Sequence, residues 1–334
     1  MAISPDLSSV ARVHRQEVDV RSAALCRAAA AVALMVPAGC GADGNGPASS
    51  TSEPASASAS ARPPASAAPA KPAAQAELPQ GGTKIFPSYR VVAYYGTAGN
   101  SALGVLGEGS PDKMLPKLRG AAKGFIGDRK IQVAYELIAS VAQAGPGKDG
   151  DYSQMIDLNK IQQYVDQARR NKVLVILDLQ PGRGDFLPQA KALERFLIQP
   201  HVGIALDPEW RMPKGKVPGR TIGHVSSAEV NRVSAYVAGL VAQHHLPEKL
   251  FVLHQFRASM LPDVQNVRNR PGLAMVQHID GFGTRSEKDA TWNRLRRAQQ
   301  FHLGYKLFYD EDVKRYSPAD VLKFKPAPEL VSYQ

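Results

Sequence analysis

Val-Gly-Ile-Ala-Leu-Asp-Pro-Glu-Trp, residues 202–210, joins a continuous apolar run to two carboxylates and an aromatic ring. An uninterrupted run of this length is typical of a strand in a parallel sheet that is covered on both faces. Asp207 and Glu209 then follow the carboxyl end of that strand. Because side chains alternate along a strand, the two are expected to point the same way, with Pro208 between them where no amide donor is needed.

Apolar runs of the same kind recur along the chain and alternate with segments of helical periodicity. The predicted strands are residues 90–95, 131–141, 172–179, 202–206, 249–256, 273–279, 303–309 and 329–333. The predicted helices are residues 111–125, 158–170, 187–198, 226–244, 287–300 and a short one that opens at 317–320. Strands and helices that alternate in this way over roughly 250 residues predict an α/β fold, a (β/α)8 barrel of the TIM type.

The alternative architecture is a doubly wound open sheet. Such a sheet usually carries a GxGxxG phosphate loop after its first strand. Residues 96–100 read Gly-Thr-Ala-Gly-Asn and lack that spacing, so the barrel is the preferred prediction.

The start of the chain is typical of an export signal. An apolar run, residues 28–38, follows two arginines and is too short to span a bilayer. Ala38-Gly39-Cys40 resembles the processing site of bacterial lipoproteins, with Pro37 where leucine is usual. The resemblance implies a signal peptide over residues 1–39 and an extracytoplasmic protein held at the cell membrane by a lipid on Cys40. The alternative is ordinary secretion with Cys40 as a free thiol.

Cysteine content and composition divide the rest of the chain. The chain has two cysteines, Cys26 and Cys40, so removal of the signal and lipidation would leave no thiol for a disulfide or a thiolate metal site. Residues from 41 to about 80 are mostly Ala, Ser and Pro and cannot bury enough apolar surface to order themselves. We therefore predict a disordered tether over residues 40–82 and a barrel domain over residues 83–334.

The chain is basic, since 41 Lys and Arg against 30 Asp and Glu give a formal net charge of +11. This charge serves solubility, and it also favours attraction to anionic lipid or wall polymer. The sequence has no glycine-lysine phosphate loop, no zinc-finger spacing and no basic stretch interleaved with aromatic residues, so neither a nucleic-acid partner nor a cofactor is predicted. Nothing in the sequence indicates an oligomeric state.

Polar residues follow most of the predicted strands, at the end where the site of a barrel forms. The carboxylates among them are Glu136, Asp178, Asp207, Glu209 and Asp280, and the other polar candidates are Gln255 and His278. We expect these side chains to converge on one rim. A His-Asp metal site that includes Asp280 lacks a recognisable ligand spacing, so no metal is predicted.

The strand that ends Leu206-Asp207-Pro208-Glu209-Trp210, together with Tyr94-Tyr95 and His278-Ile279-Asp280, resembles the acid-ended strands of barrel glycoside hydrolases, including chitinase-like barrels. The resemblance implies hydrolysis of a polysaccharide or oligosaccharide. Ala205 stands where the chitinase signature has a further aspartate, so a substrate-assisted mechanism is not implied.

Glycosidic hydrolysis needs a carboxylic acid that protonates the leaving oxygen and a second group that attacks or holds water. We predict Glu209 as the acid, because it has the longer arm and Trp210 beside it is expected to raise its pKa. Asp207 would tune it from two residues back. Asp178 is the predicted third carboxylate, and Asp280 is the alternative.

Substrate binding is assigned to the remaining rim residues, which are Tyr95, Trp210, Glu136, Gln255, His278 and Asp280, with Phe282 as a further stacking face. Each aromatic residue has a structural alternative: Tyr95 as barrel packing, Phe282 as a loop plug and Trp210 as a lid. The sequence thus leaves two functions open. The first is an anchored glycoside hydrolase, and the second is a non-catalytic glycan- or ligand-binding lipoprotein on a barrel scaffold.

Overall fold

The computed structural model describes residues 75–334. The predicted signal peptide, Cys40 and the tether up to residue 74 lie outside the described residues. Within residues 75–334, no helix is both long and apolar enough to cross a bilayer.

Eight parallel strands of the described chain close into a barrel in the order in which they occur along the chain, with the last strand paired back to the first. Their bounds are β1 (Tyr89–Gly96), β2 (Lys130–Ala142), β4 (Leu174–Leu179), β5 (Val202–Leu206), β6 (Lys249–Gln255), β7 (Leu273–Ile279), β8 (His302–Leu307) and β9 (Leu330–Tyr333). A short strand, β3 (Ser153–Met155), pairs antiparallel with the end of β2 outside the ring. Closure through β9 excludes the open-sheet alternative and confirms the predicted barrel.

Helices cover the outside of the barrel. They are α1 (Pro111–Ala122), α2 (Leu158–Asn171), α3 (Phe186–Ala192), α4 (Glu194–Leu197), α5 (Ser227–Gln243), α6 (Arg285–Leu295) and α7 (Pro318–Val321). At the start of α5 the Ser226 side chain accepts the backbone N–H of Glu229, which is one half of a capping box. The Glu229 carboxylate accepts the N–H of Phe186 and bonds Arg211 instead.

The strand ends nearest the amino termini enclose an aliphatic interior, which we call the lower lumen. Its inward-facing residues are Val91, Ala93, Ala134, Leu174, Ile176, Ala205, Leu250, Val252, Ala274, Val276 and Leu330. Leu78, Ile85 and Phe86 pack against this cluster from the segment before β1. That segment therefore closes the amino-terminal end of the barrel.

The segment before β1 is also bonded to the barrel by its backbone. The amide of Ala76 donates to the carbonyl of His245, and the amide of Ile85 donates to the Glu248 carboxylate. Residues 75–82, which the sequence assigned to the tether, thus lie against the folded domain.

Candidate functional site

A cavity of about 160 Å³ lies at the carboxyl end of the strands. Its carboxylates are Asp207, Glu209, Asp280 and Glu311. Its aromatic side chains are Tyr95, Trp210, Phe256, Phe282 and Phe308. Lys306 and Gln180 add a cation and an amide to the lining. Polar groups on a largely apolar wall are typical of a small-molecule or substrate site.

Asp207 and Glu209 reach this cavity by a geometry that differs from the prediction. Strand β5 ends at Leu206, and Pro208–Trp210 forms a 3-10 turn, so the two acids are not alternating strand residues. The Asp207 side chain accepts the backbone N–H of Glu209 at 3.2 Å and thereby caps the turn. Asp207 is buried and Glu209 is half-buried, which places the aspartate deeper in the cavity.

A charged network lies in and below the floor of the cavity, and we call this region the upper lumen. Its inward-facing residues are Tyr95, Glu136, Asp178, Asp207, His254, His278, Asp280, Lys306 and Ser332. His254 is its centre: Nε2 lies 3.1 Å from a Glu136 oxygen, and Nδ1 lies 2.8 Å from an Asp280 oxygen. The imidazole therefore links β2 to β6 and to the end of β7.

Lys306 and Tyr95 extend the network across the barrel. The Lys306 Nζ lies 3.8 Å from an Asp280 oxygen and 3.6 Å from the centre of the Tyr95 ring. The Tyr95 hydroxyl donates to Asp178 at 3.0 Å and accepts from Gln180 at 3.2 Å. These contacts fix the position of the Tyr95 ring and hydroxyl at the floor of the cavity.

Burial and neighbouring charge move the pKa values of the acids in opposite directions. Burial, with a contribution from Asp280, raises the pKa of Asp207 to about 6, and burial raises that of Asp178 to about 8. Burial also acts on Glu136, but the hydrogen bond and charge of His254 outweigh it and lower the pKa to about 2. The same balance lowers the pKa of Asp280 to about 2. Carboxyls held in different protonation states at neutral pH are typical of functional sites.

His278 differs electrostatically from His254. Burial lowers its pKa to about 3, so the ring is neutral. Its Nε2 lies 2.7 Å from the hydroxyl of Ser332. Strand β8 passes beside Nδ1, since a Cβ built at Gly304 would lie 2.1 Å from that atom. Glycine at position 304 therefore leaves room for the ring.

The predicted site residues form two groups, with one residue outside both. Those on the cavity wall are Tyr95, Asp207, Glu209, Trp210 and Asp280. Those buried beneath the floor are Glu136, Asp178 and His278. Gln255 joins neither group, because its side chain bonds Arg257 and Gln277 on the outer face of the sheet. Strand alternation turns it away from the lumen, into which its neighbour His254 points.

Several residues of the site were missed in the sequence, among them Lys306 and Phe308. Lys306 and Phe308 line the cavity, yet both lie within the predicted strand 303–309 and look like ordinary strand residues. The available signal was parity: Gly304, Lys306 and Phe308 share one face, and a lysine in the middle of an apolar strand is rarely buried unless it has a partner.

The fold and the cavity position define a (β/α)8-barrel protein with its candidate site at the carboxyl end of the strands, as in characterised barrel enzymes. No protein-family model matches the chain, and no curated protein matches it either.

Proposed function

We propose that this protein is a glycoside hydrolase-like enzyme that acts on a cell-envelope or environmental polysaccharide or oligosaccharide. One observation carries the proposal: Asp207, Glu209 and Asp280 line a single aromatic-walled cavity at the carboxyl end of the barrel. Two or more carboxyl groups around one bond, one protonated and one ionised, are what glycosidic hydrolysis requires.

Asp207 is the best-supported proton donor. Its burial raises its pKa to about 6, which keeps part of the population protonated near neutral pH. Glu209, the donor predicted from the sequence, lies closer to solvent and is the alternative. Asp280 supplies the second carboxylate from the end of β7, which one strand, β6, separates from β5 in the ring.

Aromatic side chains account for the choice of a sugar as substrate. Trp210, Phe282 and Phe308 all border the cavity beside the acids. Pyranose rings present apolar faces edged by hydroxyls, so aromatic planes and carboxylates together suit them. Lys306 and Gln180 provide hydrogen-bond donors to those hydroxyls.

Non-catalytic glycan binding is the second candidate. It is favoured by the burial of Glu136, Asp178 and His254, which are fully enclosed and bonded to protein groups. A barrel that only binds would retain the aromatic wall without turning over the sugar.

The deciding experiment measures release of reducing ends from a panel of neutral, amino and acidic polysaccharides. We expect Asp207→Asn to lose about 10²- to 10⁴-fold in rate, the usual worth of a general acid. Glu108→Gln, which removes an exposed carboxylate paired with Lys117, is the matched control and should match wild type. Binding without turnover in the wild type supports the second candidate, and turnover that survives both Asp207→Asn and Glu209→Gln refutes the assignment.

The pH profile tests the role of Asp207 separately. A donor must be protonated, so kcat/KM is expected to fall as pH rises through about 6. Asp207→Asn should abolish that limb in its residual activity. A limb that persists in this variant but disappears in Glu209→Gln would move the donor to Glu209.

We also propose that the enzyme works outside the cytoplasm, anchored to the cell membrane through a lipid on Cys40. The support is the apolar run at residues 28–38 followed by Ala38-Gly39-Cys40. Cys40→Ser should shift the protein from the membrane fraction to the soluble fraction. An unchanged distribution would contradict lipidation.

A further inference from the structure

The upper lumen holds a group of metal-ligand side chains that glycan chemistry does not use. Glu136, His254 and His278 each offer one ligand atom, and these atoms all lie within 4.8 Å of one another. All three side chains are fully buried. They come from β2, β6 and β7, so the barrel itself brings them together.

We infer that Glu136, His254 and His278 form a binding site for one divalent transition-metal ion, with zinc as the first choice. Two imidazoles and one carboxylate are a common zinc set in proteins, and they leave a fourth position for water or a hydroxyl. The inference concerns the floor of the cavity and does not depend on the proposed hydrolysis.

The groups bonded to the two histidines hold the rings as metal sites require. Asp280 accepts a hydrogen bond from His254 Nδ1 at 2.8 Å, which leaves Nε2 directed toward Glu136. A carboxylate behind a histidine ligand fixes the ring and increases its basicity. His278 is held in a comparable way, because Nε2 lies 2.7 Å from the Ser332 hydroxyl. Its Nδ1 is buried without a hydrogen-bond partner in the described part of the chain and is the nitrogen available to the ion.

Two further observations favour a cation here. Oxygens of Glu136, Asp178 and Asp280 are buried without a hydrogen-bond partner in the described part of the chain. The upper lumen also places four buried carboxyl groups beside one buried lysine, Lys306. A divalent ion would give the unpaired oxygens a partner.

The test is zinc binding by the purified protein, without any sugar. After equilibrium dialysis against zinc, elemental analysis should find about one ion per folded chain. His278→Gln and Glu136→Gln should lose that ion, and Asp280→Asn should bind it about 10- to 100-fold more weakly. Circular dichroism checks that each variant is folded.

Two controls separate this site from other histidines. His201→Gln removes a buried histidine that bonds the Val165 carbonyl, and the pair His244→Gln, His245→Gln removes adjacent exposed rings. Both should keep the ion. Wild-type protein that binds no zinc, or an ion retained in both His278→Gln and Glu136→Gln, overturns the inference.

X-ray absorption of the zinc-loaded wild type needs no variant. If the variants do not fold, it still shows which ligands surround the ion. A shell of two imidazoles with oxygen ligands supports the site. A shell with one imidazole or none marks a surface site and overturns it.

Discussion

The lower and upper lumen are made by the same strands, yet they differ completely in chemistry. Along β2, Ala134 is followed two residues later by Glu136, and along β4, Ile176 is followed by Asp178. Along β6, Val252 precedes His254 in the same way. One inward step of a strand, about 6.6 Å, therefore separates an aliphatic layer from an ionic one. Packing is concentrated in the first layer and reactive groups in the second.

The largest expected effect on stability comes from placing a charged side chain in the lower lumen. Val252→Asp places a carboxylate among the aliphatic side chains of the lower lumen. We expect more than about 4 kcal/mol of destabilisation, and hence failure to fold, since an unpaired buried charge is among the most damaging changes. Val252→Ala, the control, should remain folded in a denaturant titration. If Val252→Asp were soluble and as stable as Val252→Ala, the lower lumen would tolerate charge and would not differ from the upper lumen in this respect.

Removal of the imidazole at the centre of the upper lumen should have the next largest effect. His254→Leu leaves Glu136 and Asp280 without the imidazole, and we expect a loss of about 3 to 5 kcal/mol at neutral pH. Both acids have folded pKa values of about 2, below their unfolded values. Their contribution is therefore present above about pH 4 in the wild type and is lost as pH falls toward 2.

The difference in unfolding free energy between wild type and His254→Leu should accordingly narrow as the pH falls. His201→Leu removes a buried histidine that bonds one carbonyl and provides the control, with a smaller and less pH-dependent loss. A difference that is constant from pH 7 to pH 3 would contradict the ionic account of the upper lumen.

Lys249 sharpens the comparison, because it is a buried cation whose contacts are carbonyls rather than carboxylates. Its Nζ donates to the carbonyls of Gln199 and Val202, and burial lowers its pKa to about 7. The unfolded chain then binds more protons than the folded one between about pH 7 and 10, so this group makes stability rise with pH across that range.

Lys249→Met should flatten the rise in unfolding free energy between pH 7 and 10, by up to about 1.4 kcal/mol per pH unit. Lys84→Met, which alters a largely exposed lysine, is the control. An unchanged slope in Lys249→Met would show that the buried lysine keeps its ordinary pKa.

The smallest expected effect is at the boundary between cavity and network. Tyr95→Phe removes the hydroxyl that bonds Asp178 and Gln180 but keeps the ring beside Lys306. We expect a loss of about 1 kcal/mol in unfolding free energy, the net worth of such hydrogen bonds. A loss above about 3 kcal/mol would mean that the hydroxyl organises the whole upper lumen.

Most of the barrel could be predicted from the sequence, because its strands are buried on both faces and read as apolar runs. The run at residues 202–206 matches β5, and the run at 273–279 matches β7. The short β3 was missed because Ser153–Met155 is neither long nor consistently apolar. The turn at Pro208–Trp210 was missed because capping by Asp207 depends on local geometry that alternation does not describe.

The sequence predicted which residues of the site follow each strand, but not which of them contact one another. The positions of Asp207, Glu209 and Asp280 followed from their place after apolar runs, and all three line the cavity. The bond between Glu136 and His254 joins residues 118 apart in sequence, and no local spacing encodes it. For the same reason the grouping of Glu136, His254 and His278 matches no ligand motif. The sequence therefore predicted no metal.

The segment before β1 also determines at which end of the barrel the chain enters. Leu78 and Phe86 seat the incoming chain at the closed end of the barrel, and the cavity lies at the other end. Whatever precedes residue 75 is therefore attached on the side opposite the mouth. An anchor attached through that segment would join the closed end and leave the mouth of the cavity unobstructed for a large polymer.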